Sequence, residues 1–527
     1  MGIFANPLTD LLEYEDFSRD FLKGTDPVGM TGCIDSEKVH FMSTFLGEKK
    51  VQLVVTYNEQ RAREIEEDYK LFCSQVYVIP PRDLIFFSAD LQGNAIIAER
   101  MKAFAALYQN EAKVIITTMD ALMSAAVPFE QLMSHVIKLK EGDELDLEKL
   151  KHDLTVMGYE RVGRVEEPGQ FTVHGGIADV YPLTMEVPVR IELWGDEIDT
   201  IRCFEPQSQR SMDQIECVSV FPAAEVIADD TARRRAVGMI QNELESQLAV
   251  FKKAKEPDKA KRLREETNRI LEALGEDVVL EAPDSYISYF YPRTVQLSEY
   301  FDEKNTLVFL DEPMRLKERG DGVQAEFEES MKNRLEQGFL LPGQTALLTP
   351  AKHVLAAFER GQVAALSSLD SRLADFTVVN SYAVNVQNMN TYREGFELLI
   401  KDLTHWKKEK YRIVLLCPSR TRANRIVNQL IEYDLLAYYS EDEDKKINPG
   451  EIMVTYGNLH RGFLYPMLKF AVITESDIFG VKKKKKEKKS HYQGQRISDF
   501  AQLKPGDYVV HENYGLGIYR GTERQIV

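Results

Sequence analysis

The chain has little cysteine: Cys33, Cys73, Cys203, Cys217 and Cys417 in 527 residues. An odd number of widely spaced cysteines with no C-x-x-C pair excludes a disulfide framework and a zinc knuckle, and leaves reduced, buried thiols as the expectation. No apolar run approaches the ~18 residues that would span a bilayer, and the first residues, MGIFANPLTDLLEYEDF, carry acids where a signal sequence is basic and apolar. No membrane partner and a cytoplasmic location are therefore expected. Positive charge is also short, with 66 Lys and Arg against 84 Asp and Glu, a formal net charge of −18. That balance argues against a large DNA-binding surface and suits a chain whose main partners are proteins. Finally, no G-K-[ST] triplet occurs anywhere, so a complete phosphate loop is absent.

What is present begins with VGMTGCIDSEKV, residues 28–39, which has the rhythm of a phosphate loop and the wrong side chains for one. In the frame G-x-x-x-x-G-K-[ST], Gly29 and Ser36 fit, Ile34 replaces the second Gly and Asp35 replaces the Lys. Ile34 would strain the backbone there, and Asp35 would repel the anion that Lys attracts. Lys38 is the nearest cation, but two positions past Ser36 on a helix it is expected to face away from the loop.

The length suggests three to five domains of roughly 100–150 residues. From Val51 a strand (VQLVVTY), a helix (NEQRAREIEEDYKLF), a strand (QVYVIP), a helix (NAIIAERMKAFAALYQ) and a strand (AKVIITT) alternate, which implies a parallel sheet covered on both faces. Residues 28–36 would then lie beyond the strand ends, where such sheets bind ligands. Near Glu141 the texture changes to short alternating strands. There PVRIELWGDEIDTIRCF places Gly195 and Asp196 in a hairpin turn, with Val189, Ile191 and Leu193 on one face and Arg190, Glu192 and Trp194 on the other. Arg and Trp dominate protein-binding hot spots, yet pattern alone favours a buried Trp194 over a second layer of core. Residues 232–276 are helical, with Pro257 breaking them into two helices. TLVFLDEPMRL returns to a buried strand whose Asp311 and Glu312 mimic an acidic Mg²⁺-orienting pair, read here as a solvated strand end. A second α/β pattern is expected from about 342 to 480, ending at KKKKKEKK, residues 482–489, a solvated linker. The closing LKPGDYVVHENYGLGIYRGTERQIV reads as the truncated start of a small barrel.

Several long stretches in the correct order carry a family resemblance: GYERVGRVEEPGQFTVHGGIADVYPL, RIELWGDEIDTIRCFEPQSQRS, VFLDEPMRL, ITESDIFG and GDYVVHENYGLGIYRG. The chain resembles the N-terminal half of the bacterial transcription-repair coupling factors over essentially its whole length. The first two stretches are similar to UvrB, and the last to the RNA-polymerase-interacting module of CarD-like regulators. The resemblance implies a multidomain α/β chain. A degenerate RecA-like, UvrB-like parallel-sheet domain would occupy 1–140 and 222–341, with a β-rich UvrA-binding insertion at 141–221. A second α/β domain would follow at 342–480, then a Lys-rich linker at 481–495 and the start of an SH3- or Tudor-like polymerase-interacting barrel at 496–527.

By the same resemblance Arg190 and Trp194 match positions that contact UvrA, which reverses the buried reading of Trp194, and His174 stands where an Arg usually occurs. Gly29, Ile34, Asp35 and Ser36 would form an inactive nucleotide loop and Asp311 with Glu312 a degenerate acidic box. No catalytic residue, metal or cofactor is then expected in this chain, since ATP and Mg²⁺ belong to a C-terminal motor that also carries most DNA binding. The implied function is an adapter that recruits UvrA and the excision-repair machinery and meets the polymerase β subunit. Two alternatives stand beside it: a UvrB-like helicase subunit with an unorthodox nucleotide site, and a nucleic-acid-binding module acting through residues 482–489.

Overall fold

The computed structural model describes residues 4, 7–48, 50–82, 93–275, 283–370, 376–392, 395–442 and 445–480, and the backbone of two strands within 508–518. It forms two compact units, Met1–Gly480 and Val481–Val527. Among the described residues no helix is long and apolar enough to cross a membrane.

The apolar runs become strands buried on both faces. β1 (Val28–Thr31), β2 (Val51–Thr56), β3 (Val76–Ile79) and β4 (Val114–Thr118) are interleaved with α1 (Leu12–Lys23), α2 (Asp35–Ser43), α3 (Glu59–Tyr69) and α4 (Gly93–Tyr108). Local chemistry sets the boundaries: Gly24 ends α1 in the left-handed region at φ 69°, and the Asn58 side chain accepts the Arg61 N–H to start α3.

The chain then enters the insertion on β5 (Ile137–Lys140) and leaves it on β12 (Cys217–Val220), two strands that pair antiparallel as a stem. Between them lie α5 (Leu147–Val156), β6 (Glu160–Arg161), β7 (Gln170–His174), β8 (Ile177–Val180), β9 (Val189–Trp194), β10 (Glu197–Phe204) and β11 (Ser211–Gln214), the strands forming a sheet ordered β11-β10-β9-β8-β7-β6. Alternation buries Phe171, Val189, Ile191 and Ile201 against Leu150 and Leu154 of α5 and turns the opposite face outward.

After the insertion come α6 (Asp230–Ala254), α7 (Pro257–Gly275), β13 (Thr306–Asp311), α8 (Pro313–Glu336), β14 (Val363–Ser367) and β15 (Asn380–Ala383). The α6–α7 break falls at Pro257, where the missing N–H suits the first helical position. The first sheet is seven-stranded, all parallel, in the order β15-β1-β14-β13-β2-β4-β3. This moves the expected boundary at 342: β14 and β15 flank β1, so the first domain runs on to about Ala383. Sequence order did not reveal the crossover, because strands separated by more than 300 residues pair only in the folded chain.

The second sheet is β16-β20-β21-β17-β19-β18, from β16 (Gln387–Asn388), β17 (Arg412–Cys417), β18 (Ala437–Tyr439), β19 (Ile452–Tyr456), β20 (Phe463–Tyr465) and β21 (Phe470–Thr474). Four strands are parallel, and β20 and β16 add antiparallel at one edge. α9 (Phe396–Lys408) and α10 (Arg420–Glu432) cover its outer face with Leu399, Leu403, Ile426 and Leu430.

One apolar cluster joins the two sheets. It holds Val54, Ile116, Phe309 and Leu366 from the first, Leu416, Met453, Phe463 and Val472 from the second, and Phe17, Phe21, Phe41, Ile65 and Tyr69 from α1–α3 between them. Those three helices are thus a layer shared by both sheets, and α2 is enclosed: Ser36 through Met42 are all buried. In the second unit, the strands Tyr508–His511 and Gly515–Ile518 pair antiparallel. The Lys run 482–489, the linker 481–495 and the rest of the expected barrel lie outside the described residues.

The turn from β1 into α2 depends on Gly32, at φ 83°, where an added Cβ would lie 2.0 Å from the Val384 carbonyl oxygen. Gly32→Ala is predicted to destabilise the chain by more than ~2 kcal/mol in urea titrations. Gly175→Ala, at φ 60° with nothing within 4 Å, should cost only about 1 kcal/mol.

Candidate functional site

The loop that resembles a nucleotide site is partly covered by the protein itself. Gly29 lies within β1 beside Ser381 of β15, and the turn is Gly32–Ile34. Ile34, expected to be strained, is extended at φ −134°; the unusual backbone falls on Asp35, at φ 25°. The Ile34 N–H donates to Glu37 Oε2 at 3.1 Å, and the Arg461 N–H donates to Ser36 Oγ at 2.9 Å. Asp68 accepts the neighbouring His460 N–H, and the Arg461 guanidinium lies 3.7 Å from Asp35. Residues 460 and 461, from the second sheet's loop, therefore cover the helix end.

Lys38 corrects two expectations. It does diverge from Ser36 around the axis, but the side it faces holds the acidic pair. Its Nζ lies 2.7 Å from both Asp311 Oδ1 and Glu312 Oε1. Asp311 is no solvated strand end: it is 1% exposed, accepts Thr56 Oγ1 at 2.8 Å, and meets Arg61 Nε at 3.4 Å. Glu312 adopts φ 56°, which turns its carboxylate toward Lys38 and toward the Ser368 N–H and hydroxyl, both donating to Oε1. Burial alone would push the Lys38 ammonium down and the Asp311 carboxyl up. Mutual attraction, with Arg61 helping Asp311, outweighs burial and moves each the other way, so the cluster stays ionised. A fixed ammonium occupies the position where an acidic box would hold Mg²⁺, and its charge is already matched.

Across α2 the contacts go to the second sheet. Tyr465 OH lies 2.6 Å from Glu37 Oε1 and 3.2 Å from His40 Nδ1, and His40 Nε2 lies 2.8 Å from the Phe4 carbonyl oxygen. Burial raises Glu37 to about 7 and lowers His40 to about 4. Tyr465 O–H donates to Glu37 Oε1, so buried polar groups join α2 to β20.

The insertion presents the other site. Register puts Thr172, Asp179, Arg190 and Arg202 in one row of the outer face and His174, Ile177, Glu192 and Thr200 in the next. Pairing slips by one between Glu192 and Leu193, after which Trp194 stands at the strand end opposite Glu197, 84% exposed. Trp194 is thus outward. Arg190, about 13 Å away along the strand, is committed within the fold: Nε and Nη2 donate to Asp179 Oδ1 and Oδ2 at 2.8 and 2.7 Å, and its guanidinium lies 4.8 Å from the buried Phe204 ring. His174 is exposed, with Nε2 3.0 Å from Thr172 Oγ1. The three residues share a face without forming one cluster. Sequence reasoning missed Arg61, Thr56 and the loop at 460–461; the one available signal was that α2, DSEKVHFMS, has no apolar stripe and so needs polar partners on several sides.

The comparisons follow this geometry. Residues 137–225, the stem and insertion, match the UvrB interaction domain; 405–478 match the MFD, D3 domain; and 503–527 match the CarD-like/TRCF RID domain. One part of the chain thus matches a UvrB-type interaction domain carried on a parallel-sheet body. The relatives that align with nearly all of it are transcription-repair-coupling factors, to which the chain is similar. The Bacillus subtilis factor is 29% identical over 525 residues, covering 98% of this chain and 44% of its own length. The Staphylococcus epidermidis factor is 28% identical over 529 residues (99% and 44%), and the Staphylococcus haemolyticus factor 29% over 525 (96% and 43%). The chain thus spans less than half the length of these relatives. A hypothetical ATP-dependent RNA helicase from Sulfolobus tokodaii aligns with 84% of the chain and 82% of its own at 8% identity and TM-score 0.20, too slight a likeness to bear on function.

Two outcomes are expected. Lys38→Ala leaves two carboxylates without their ammonium and should cost about 3–5 kcal/mol in chemical denaturation. Glu37 binds its proton more tightly folded than unfolded, so its contribution is complete below about 4.5 and lost as pH rises through about 7. Glu37→Gln should accordingly gain stability relative to the parent chain across that window, as read by melts at pH 4.5 and 7.5.

Proposed function

We propose that this chain is the adapter portion of a transcription-repair-coupling factor. It presents the outer face of its insertion to UvrA and carries, within 496–527, a module for the RNA polymerase β subunit. The observation that carries the reading is Trp194, an aromatic left 84% exposed at a strand end within a region matching the UvrB interaction domain. Large exposed aromatics are costly to keep in water and are the commonest anchors of protein interfaces. Ile177, exposed in the neighbouring row of the same face, adds a small apolar contact.

In this reading residues 1–480 neither bind nor hydrolyse ATP. The Lys38–Asp311–Glu312 bridge and the cover from residues 460 and 461 support that, since a triphosphate would have to displace both. ATP-driven movement on DNA would belong to the length of the relatives that this chain does not cover, and the cytoplasm is the compartment where both partners are found.

The test is capture of purified UvrA. Trp194→Ala should weaken binding by roughly 30-fold, the ~2 kcal/mol of a hot-spot anchor, with an unchanged melting temperature. Arg190→Ala differs, because it strands the buried Asp179 carboxylate: it should lower the insertion's stability by about 1–3 kcal/mol. Full UvrA binding by Trp194→Ala would remove the assignment, and micromolar ATP binding by calorimetry would remove the sealed-site reading.

A further inference from the structure

The chain is acidic overall, yet one place is strongly basic. Residues 251–264, FKKAKEPDKAKRLR, contain five Lys and two Arg against Glu256 and Asp258. They form the tip of the α6–α7 hairpin, where α6 ends at Ala254 and α7 begins at Pro257. A cleft of about 570 Å³ runs along the tip, floored by Leu248 and Phe251 and rimmed by Lys252, Lys255, Lys261 and Arg264 with Glu256 and Glu265.

Intramolecular needs account for only part of this charge. Lys252 and Lys253 sit in the last turn of α6, where the helix dipole favours cations. The first turn of α7 favours acids and holds Asp258, but Lys259 stands there too, with Lys261, Arg262 and Arg264 just beyond it. Lys259 is paired with Glu256 at 2.9 Å and Lys261 with Glu265 at 3.8 Å; Arg262 donates to the Gln337 carbonyl at 3.0 Å and lies over the Phe339 ring. Lys252, Lys253, Lys255 and Arg264 are exposed and make no side-chain hydrogen bond or ion pair among the described residues. Four cations without a carboxylate partner crowd one helical tip and repel one another, and only Lys252 and Lys253 gain from the α6 dipole.

We infer that the α6–α7 tip is a contact surface for the phosphate backbone of duplex DNA. Lysine is depleted from the cores of protein–protein interfaces, whereas phosphates need point charges and tolerate imperfect shape. A membrane surface would ask for several free apolar anchors among the cations; among the described residues here the exposed large apolar side chains are Val250 and Phe339, the latter stacked under Arg262. The contact reads no bases. It would be weak, sequence-independent and salt-sensitive, a tether that keeps duplex beside the chain. It is independent of the adapter reading, which concerns a different surface.

The test is fluorescence anisotropy of the full chain with a 20-bp duplex at 50–200 mM salt. Lys252→Glu/Lys255→Glu/Arg264→Glu should lower affinity at least tenfold at 50 mM and flatten the log–log salt dependence by about 3, close to 0.9 per lost phosphate contact. Deleting 482–489 should leave most of the binding in place. The milder Lys252→Ala/Lys255→Ala/Arg264→Ala variant, with an unchanged melt, should move both readings in the same direction. No duplex binding by the parent chain, binding lost on deleting 482–489 but kept by the hairpin variants, or tighter binding to phosphatidylserine vesicles than to duplex would each overturn the inference.

Discussion

One buried ammonium organises the centre of this protein. Lys38, held between Asp311 and Glu312, ties α2 to the end of β13 and, through Glu312, to the backbone after β14. Removing these charges from water is costly, and the cost is recovered only while all three stay in contact with Arg61 and Thr56 completing the shell. The arrangement thus demands a fixed geometry of the same elements that would cradle a nucleotide in a working site. A sealed cluster of this kind replaces a ligand-dependent contact by a permanent one.

The other side of α2 is committed as well. Tyr465, His460 and Arg461 bring the second sheet onto the helix, so the two parallel sheets share one middle layer and one apolar cluster. Two such sheets with an open cleft between them could close around a ligand. Here Ser36, Glu37 and His40 bridge the cleft directly, which suits a platform that holds its attached surfaces at fixed positions. The insertion stands on its own two-stranded stem with its own core, so its outer face can carry an exposed Trp194 without weakening the sheets behind it.

Legibility followed the range of the interactions. The strands of β2 and β4, the Pro257 break and the alternation of Val189, Ile191 and Leu193 depend on neighbours within a few residues, and pattern located them. The partners of Lys38 lie 273 and 274 residues away, and β14 and β15 join β1 across more than 300, so neither could be read from spacing. The helical wheel argument placed Lys38 opposite Ser36 correctly and still misjudged it, because the wheel does not say which side of a helix faces the acidic pair. Pattern put Arg190 on the outer face of its strand but could not show that Asp179, on the adjacent strand, accepts from it.

The residues themselves set what the loop lacks. Asp35 where a Lys would stand and the absence of any G-K-[ST] are facts of composition and order, and no packing can restore a phosphate-binding lysine from them. What folding decided is what took its place, since a buried charge must be matched by whatever the fold brings within about 3 Å. Distance along the chain carries no information about that encounter; only the stacking of the two sheets around α2 does.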